Sequence, residues 1–232
     1  MTTFLLVHGA FRGGWAWRRV RPYLVAAGHD VYAPSLAGAG ERAPAAAQVS
    51  GLDDWVAELV ALVEMEDLRD VVLVGHSQGG VVVRAVADRL PDRLRRVVYL
   101  DAGVPDAGER AVDLTPAPPG FALPPRDALV PPRAPQPAGD LDAATAAWLA
   151  DRLTPTPVAP SLDPLTVADE HGVPVTYVFC DGTPEGYPSQ TTRGRLDARG
   201  VAYEVIGAGH DAPLTAPGVV ADLLMREAAR PA

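Results

Sequence analysis

Short, predominantly apolar runs punctuate this chain, followed by glycine-bearing turns and stretches with helical spacing. The runs lie at residues 4–7, 30–33, 71–74, 97–100, 175–179 and 202–206. A strand with one wet face alternates apolar and polar residues, whereas a strand covered on both faces reads as continuous apolarity. The runs are therefore predicted to be buried strands of one sheet. The stretches between them carry the helices that cover it. Trp55, Leu59, Leu62 and Val63 recur at helical spacing after Asp53 and Asp54, which suit a helix start. Residues 78–90 continue the third strand into a helix that stops before Pro91, and Val219, Val220, Leu223 and Leu224 mark a terminal helix. The expected fold class is α/β: an open, mostly parallel six-stranded sheet with helices on both faces. Its 232 residues suit one domain with a core that needs no disulfide or metal.

One stretch breaks the rhythm. Residues 105–164 hold 14 of the 24 prolines, paired at Pro118-Pro119, Pro124-Pro125 and Pro131-Pro132. Proline removes a backbone donor and blocks helix interiors, so no regular strand–helix unit is expected there. Within it only residues 141–153 have a helical pattern. Phe121, Leu123, Leu129 and Trp148 punctuate it, which suits an ordered cover better than a disordered linker. A lid or cap insertion over 105–170, within a single domain of 1–232, is the expectation.

Composition removes several function classes. All 20 basic residues are arginine, so Schiff-base lysine and lysine-anchored phosphate chemistry are excluded. One cysteine, Cys180, excludes an internal disulfide or a cysteine-cluster zinc site, and the five histidines show no HxH or HExxH spacing. No metal and no cofactor is expected. A net charge of −9 argues against nucleic acid. Without a basic, apolar leader or a run near the ~20 residues of a membrane span, the expectation is a cytoplasmic protein with no membrane partner.

The chemistry centres on Gly75-His76-Ser77-Gln78-Gly79, which follows a predicted strand and opens a predicted helix. In that context G-x-S-x-G is a nucleophile elbow, a tight turn that presents Ser77 at the carboxyl edge of the sheet. A serine hydroxyl needs a base, and His210 lies directly after the last strand, on the same edge. His76 lies inside the elbow, directed away from the serine's pocket. His8 belongs to the loop after the first strand. His29 and His171 precede strands, at the opposite edge. The glycine-rich loop His8-Gly9-Ala10-Phe11 can aim a backbone N–H at a substrate carbonyl oxygen. Ala10 and Gln78 are the expected oxyanion donors.

These residues resemble the α/β-hydrolase superfamily, and its small esterase branch of plant methyl esterases, hydroxynitrile lyases and bacterial pyrethroid-type esterases in particular. The resemblance is carried by His8-Gly9-Ala10, Gly14-Trp15-Ala16-Trp17, Gly38-Ala39-Gly40-Glu41-Arg42, the elbow, the Tyr99–Pro105 segment and Gly209-His210-Asp211. It implies a Ser-His-Asp triad. The acid follows either the strand before the histidine strand, as Asp181 does, or the strand before that, as Asp101 does. In the commoner placement the acid stands a few residues into the loop, near Thr183. The Leu-Asp-Ala context puts Asp101 ahead. Lysine-assisted lyases of the branch carry a lysine after the histidine, where this chain has Asp211, and an anion there opposes departing cyanide.

The expected function is hydrolysis of a carboxylic ester, lactone or thioester through an acyl-enzyme. The alternatives are a lyase or cyclase step that tailors a secondary metabolite, and a non-catalytic small-molecule receptor. The expected partner is a small molecule with a neutral, apolar portion, bound by Phe11, Trp15, Phe121 and Trp148; the reading leaves room for a homodimer.

Overall fold

In the computed structural model, residues 1–115, 120, 122–167 and 171–231 are described. The apolar runs form β1 (Thr3–Val7), β2 (Asp30–Tyr32), β3 (Val71–His76) and β4 (Leu94–Leu100). After a long excursion containing β5 (Leu129–Val130) and β6 (Thr156–Pro157), the chain returns through β7 (Val175–Cys180) and β8 (Glu204–Ile206). Six strands lie in one sheet in the order β2-β1-β3-β4-β7-β8, and each neighbouring pair is parallel. β5 and β6 pair apart from it as an antiparallel ribbon.

Continuous apolarity in the central strands has the cause expected of it, since their alternate residues feed separate cores. Phe4, Leu6, Val72, Val74 and Val98 pack with Leu24 of α1 (Arg21–Ala26) and with the terminal helix Pro217–Ala229. Leu5, Val7, Leu73, Val97 and Tyr99 pack with Trp55 and Leu59 of α2 (Leu52–Met65) and Val82 and Val86 of α3 (Gly79–Arg89). Both faces are thus covered, and chain order decides little about which helix goes where. Asp54 starts α2 as its position suggests, accepting from Ser50 N at 2.6 Å and Gly51 N at 3.1 Å.

The excursion departs from a strand–helix unit, as its prolines require, yet it is built. It holds a short 3₁₀ turn at Ala111–Leu114, the β5–β6 ribbon, α4 (Ala143–Ala150) and α5 (Ala159–Leu162). The helix expected over 141–153 is shorter, because Asp142 caps α4 by accepting from Thr145 N at 2.6 Å. Leu123 and Leu129 are exposed, contrary to their expected role in covering apolar surface. Phe121 lies outside the described residues. The chain continues through α6 (Pro188–Arg199), α7 (Ala212–Thr215) and α8 (Pro217–Ala229). Among the described residues no helix is long and apolar enough to cross a membrane.

Candidate active site

Strand order brings the chemistry together. The sheet reverses direction of growth at β1, with β2 on one side and β3 on the other, and ligand crevices open at the carboxyl ends of such strands. The loop after β1 and the elbow after β3 therefore meet. Ser77 occupies the elbow at φ +54, in the left-handed region that costs a side-chain-bearing residue ~1–2 kcal/mol. Backbone bonds over-determine that turn: Ser77 N donates to Leu100 O at 3.3 Å, and Gly103 N to Ser77 O at 3.3 Å. The first helical residue must be Gly79, because a Cβ there would stand 2.7 Å from Val7 O.

Ser77 Oγ lies 3.0 Å from His210 Nε2, and His210 Nδ1 lies 2.5 Å from Asp101 Oδ2. The carboxylate can only accept, so the Nδ1 position carries the proton and Nε2 faces the serine hydroxyl as an acceptor. Asp101 has no exposed surface and also sits at positive φ, with its N–H donating to Val178 O at 2.7 Å. Burial works to raise its pKa. The hydrogen bond and charge of His210, with the Thr183 hydroxyl donating at 2.6 Å, outweigh burial and hold the carboxyl below its ordinary value.

Asp181, the alternative acid, makes no bond to His210. Its Oδ1 accepts from Ala208 N at 3.1 Å, and the residue is exposed. The reason is position within the loop: Asp181 directly follows β7 and turns to Ala208 N, while Thr183, two residues on, donates to Asp101. Asp101 leaves β4, which adjoins the elbow strand, whereas Asp181 leaves β7, one strand farther out. The loop after β7 still contributes, through Thr183 rather than through its aspartate.

The His210 ring is flanked by two aromatic side chains. His76 lies on one side with ring centroids 4.8 Å apart, and Tyr187 on another at 4.5 Å. His76 Nε2 donates to the His210 carbonyl at 2.8 Å. Burial, then repulsion from His210 and Arg12, push His76 down to about 3, so it stays neutral beside His210. Its side chain points away from the cavity, as expected, but it supports His210 from beneath. Tyr187 carries no sequence signal, because its approach depends on the path of the β7–α6 loop. His29 and His171 are remote, bonded to Thr2 N at 3.3 Å and Asp88 at 2.5 Å.

The loop after β1 packs tightly on the elbow; a Cβ on Gly9 would lie 2.7 Å from Ser77 Cβ. His8 accepts from Leu36 N at 3.1 Å through Nε2 and donates from Nδ1 to Gly9 O at 2.9 Å. Burial pushes its pKa down to about 4, against a smaller opposing effect of the Gly9 carbonyl. Phe11 stands at φ +66; its N–H donates to Thr156 Oγ1 at 2.6 Å and its carbonyl accepts from Thr154 N at 2.9 Å. The amides of Ala10 and Gln78 have no intramolecular acceptor among the described residues, and both residues border the cavity. Arg12 links this loop to the histidine loop, donating to Ala10 O at 3.0 Å and pairing with Asp211. Burial works to raise the Asp211 pKa, but the charge of Arg12 prevails and holds it low.

A cavity of about 1200 Å³ opens over Ser77 and His210. Phe11 lines it, with Leu114, Val130, Leu141, Leu149 and Leu153 supplying aliphatic surface. Trp15 and Trp148 do not. They pack edge-to-face on one another at 5.5 Å outside it, with the Arg152 guanidinium 4.2 Å over Trp148. The correction follows from helix phase: successive residues turn by about 100°, so Leu149 faces the cavity and Trp148 the stack. Among the described residues no group of three His, Cys, Asp or Glu side chains is arranged to hold a metal ion.

A serine on a strand–helix elbow, hydrogen-bonded to a histidine beyond the last strand, defines the α/β-hydrolase class of fold. The chain belongs to the alpha/beta hydrolase family, whose pattern matches residues 4–223. It is 43% identical over 125 residues to a carbendazim hydrolyzing esterase of Nocardioides sp. (strain SG-4G), covering 54% of this chain and 50% of that protein. The chain spans about half the length of the curated relatives it matches. Among solved structures it is similar to an extracellular alpha/beta-hydrolase of a Paenibacillus species (TM-score 0.78, 25% identity, 98% of this chain and 99% of that one). A methylesterase of Arabidopsis shares the fold at TM-score 0.79 and 22% identity, over 99% of each chain.

Proposed function

We propose that the chain is a serine esterase acting through an acyl-enzyme. The observation that carries this reading is the hydrogen-bonded line from Ser77 through His210 to Asp101, opening on the 1200 Å³ cavity. An ester carbonyl enters with its oxygen toward the Ala10 and Gln78 amides. Ser77 Oγ attacks the carbonyl carbon as its proton passes to His210 Nε2, and Asp101 stabilises the imidazolium that forms. The oxyanion collapses, and the departing alkoxide takes the proton from His210 and leaves as the alcohol. Water then attacks the acyl carbon and gives its proton to His210. Collapse of the second oxyanion releases the acid and returns the proton to Ser77. Each oxyanion donor is worth about 10²–10³ in kcat by analogy with measured cases.

The aliphatic lining supports an ester with a neutral, apolar portion, and the excursion acts as the cover that selects it. Relatives named as esterases or methylesterases support the same class. Asp211 beside His210 is an anion paired to Arg12, which disfavours expulsion of cyanide. Ser77→Ala is expected to lower kcat by about 10⁴–10⁶ with the fold intact. A fluorophosphonate is expected to label residue 77 in the unaltered protein. Full activity in a folded Ser77→Ala variant would overturn the mechanism, and an unlabelled protein without ester turnover would make it a receptor.

A further inference from the structure

The excursion touches the machinery at a place where it governs more than substrate fit. Phe11 is a side-chain-bearing residue in the left-handed region, so neighbours must hold its backbone there. Both of its peptide bonds are tied to residues 154–156, roughly 140 positions away in the chain: Phe11 N to Thr156 Oγ1 at 2.6 Å, and Phe11 O to Thr154 N at 2.9 Å. Packing is tight at Gly9 but leaves a gap beside Phe11. A void of about 10 Å³, room for roughly one water, is bordered by His8, Ala10, Phe11, Trp55, Gln78 and Thr156. His8 and Arg12 secure the two ends of the loop, through Leu36 and Asp211. Between them the Phe11 N–H has only Thr156 as its acceptor, while the carbonyl of the same peptide, Ala10 O, accepts from Arg12 at 3.0 Å.

We propose that Thr156 is a positioning residue for oxyanion binding: its buried hydroxyl engages the Phe11 amide, which leaves the adjacent Ala10 amide facing the cavity. The inference rests on the serine-esterase reading above. Thr156 is buried and held in the β5–β6 ribbon opposite Val130, so the acceptor is fixed before substrate arrives. With the hydroxyl gone, the Phe11 N–H loses its acceptor, and the strained peptide, held on that side only by Arg12 at Ala10 O, tilts and carries the Ala10 amide with it. The excursion is then part of the chemical machinery and not only a cover.

The test compares Thr156→Val with Thr156→Ser, using p-nitrophenyl butyrate for turnover and an aryl trifluoromethyl ketone for the oxyanion. Ser77 Oγ adds to the ketone carbon, the serine proton passes to His210, and the ketone oxygen becomes the bound oxyanion. Thr156→Val is expected to lower kcat by about 10–100-fold and to weaken the ketone by a similar factor, with KM within about threefold. Thr156→Ser, which keeps the acceptor, is expected to stay within about threefold of the unaltered protein in every constant. A kcat within about twofold, or a loss confined to KM with ketone affinity unchanged, overturns the proposal. Should the valine variant not fold, Thr156→Ala is measured the same way. A parallel loss of about fivefold or more in kcat and ketone affinity supports the proposal, and a smaller one overturns it. Fluorophosphonate labelling of Ser77 keeps the two ideas apart. A labelled protein indifferent to residue 156 sinks only this inference, whereas an unlabelled, inactive one sinks the esterase reading.

Discussion

Around Ser77, backbone holds backbone. Ser77 N donates to Leu100 O, Gly103 N to Ser77 O and Asp101 N to Val178 O, each bond extending a pair of adjacent strands past its end. The excursion between β4 and β7 is fastened differently, by a backbone bond, Thr154 N to Phe11 O at 2.9 Å, and otherwise mainly through side chains. Asp140 accepts from Gly209 N at 2.8 Å and from the Thr215 hydroxyl at 2.6 Å; Asp163 accepts from Leu52 N at 2.8 Å; Thr154 Oγ1 accepts from Gly40 N at 3.1 Å. The first region inherits its geometry from the sheet, and no single side chain can be deleted to undo it. The second is placed mainly by short polar side chains, each removable by a point substitution. Changes at the sheet edge should therefore alter chemistry with little loss of fold, whereas changes in the excursion should alter placement.

The largest effect is expected at the sheet edge. Asp101→Asn should lower kcat by about 10⁴ with little change in geometry, because the amide no longer enforces the His210 tautomer or stabilises the imidazolium. Asp181→Asn keeps an acceptor for Ala208 N and should stay within about threefold. Rate measurements on variants matched in thermal stability would reverse this assignment if Asp181→Asn proved the crippling one.

In the excursion, Leu149→Ala removes a fully buried side chain that lines the cavity, and should cost about 2–5 kcal/mol in urea unfolding together with a change in KM. A loss of stability without any change in KM would detach α4 from the cavity.

Acid should weaken the sheet edge. His8 is neutral in the fold with a pKa pushed to about 4 from an ordinary 6.5, so the unfolded chain binds a proton there that the folded one refuses. Stability therefore falls as pH drops from 6.5 towards 4, by up to about 3 kcal/mol for this residue alone. Asp101 and Asp211, held below the ordinary carboxylate value, act in the same direction at lower pH. A urea midpoint unchanged between pH 7 and 4.5 would contradict the burial of a neutral imidazole there.

The smallest effect is expected at Trp148→Ala. The ring lies outside the cavity, so kcat and KM should hold within about twofold while stability drops by about 1 kcal/mol from the lost ring and guanidinium contacts. A severalfold change in KM would place the stack in the substrate's path.

Short-range constraints were readable from residues alone. A strand buried on both faces must be apolar, which marked the central strands; the edge strands β2 and β8 carry Asp30 and Glu204, are only partly buried, and were located by their shorter apolar stretches. The elbow is decided within a few residues of Ser77, where strand and helix crowd the turn, and the position of His210 after the last strand follows from chain order. Contacts between distant segments were not readable. Asp101 and Asp181 both follow a strand at the same edge; only the folded loops set Asp101 against His210 with Thr183 beside it and turn Asp181 to Ala208 N. In the α4 sequence AATAAWLA small apolar residues run all round the helix, so it has no apolar stripe to set its phase, and packing alone turned Leu149 inward and Trp148 out. The bond from Thr156 to Phe11 leaves no local trace in the chain, because a threonine hydroxyl accepts from whichever amide the fold brings to it.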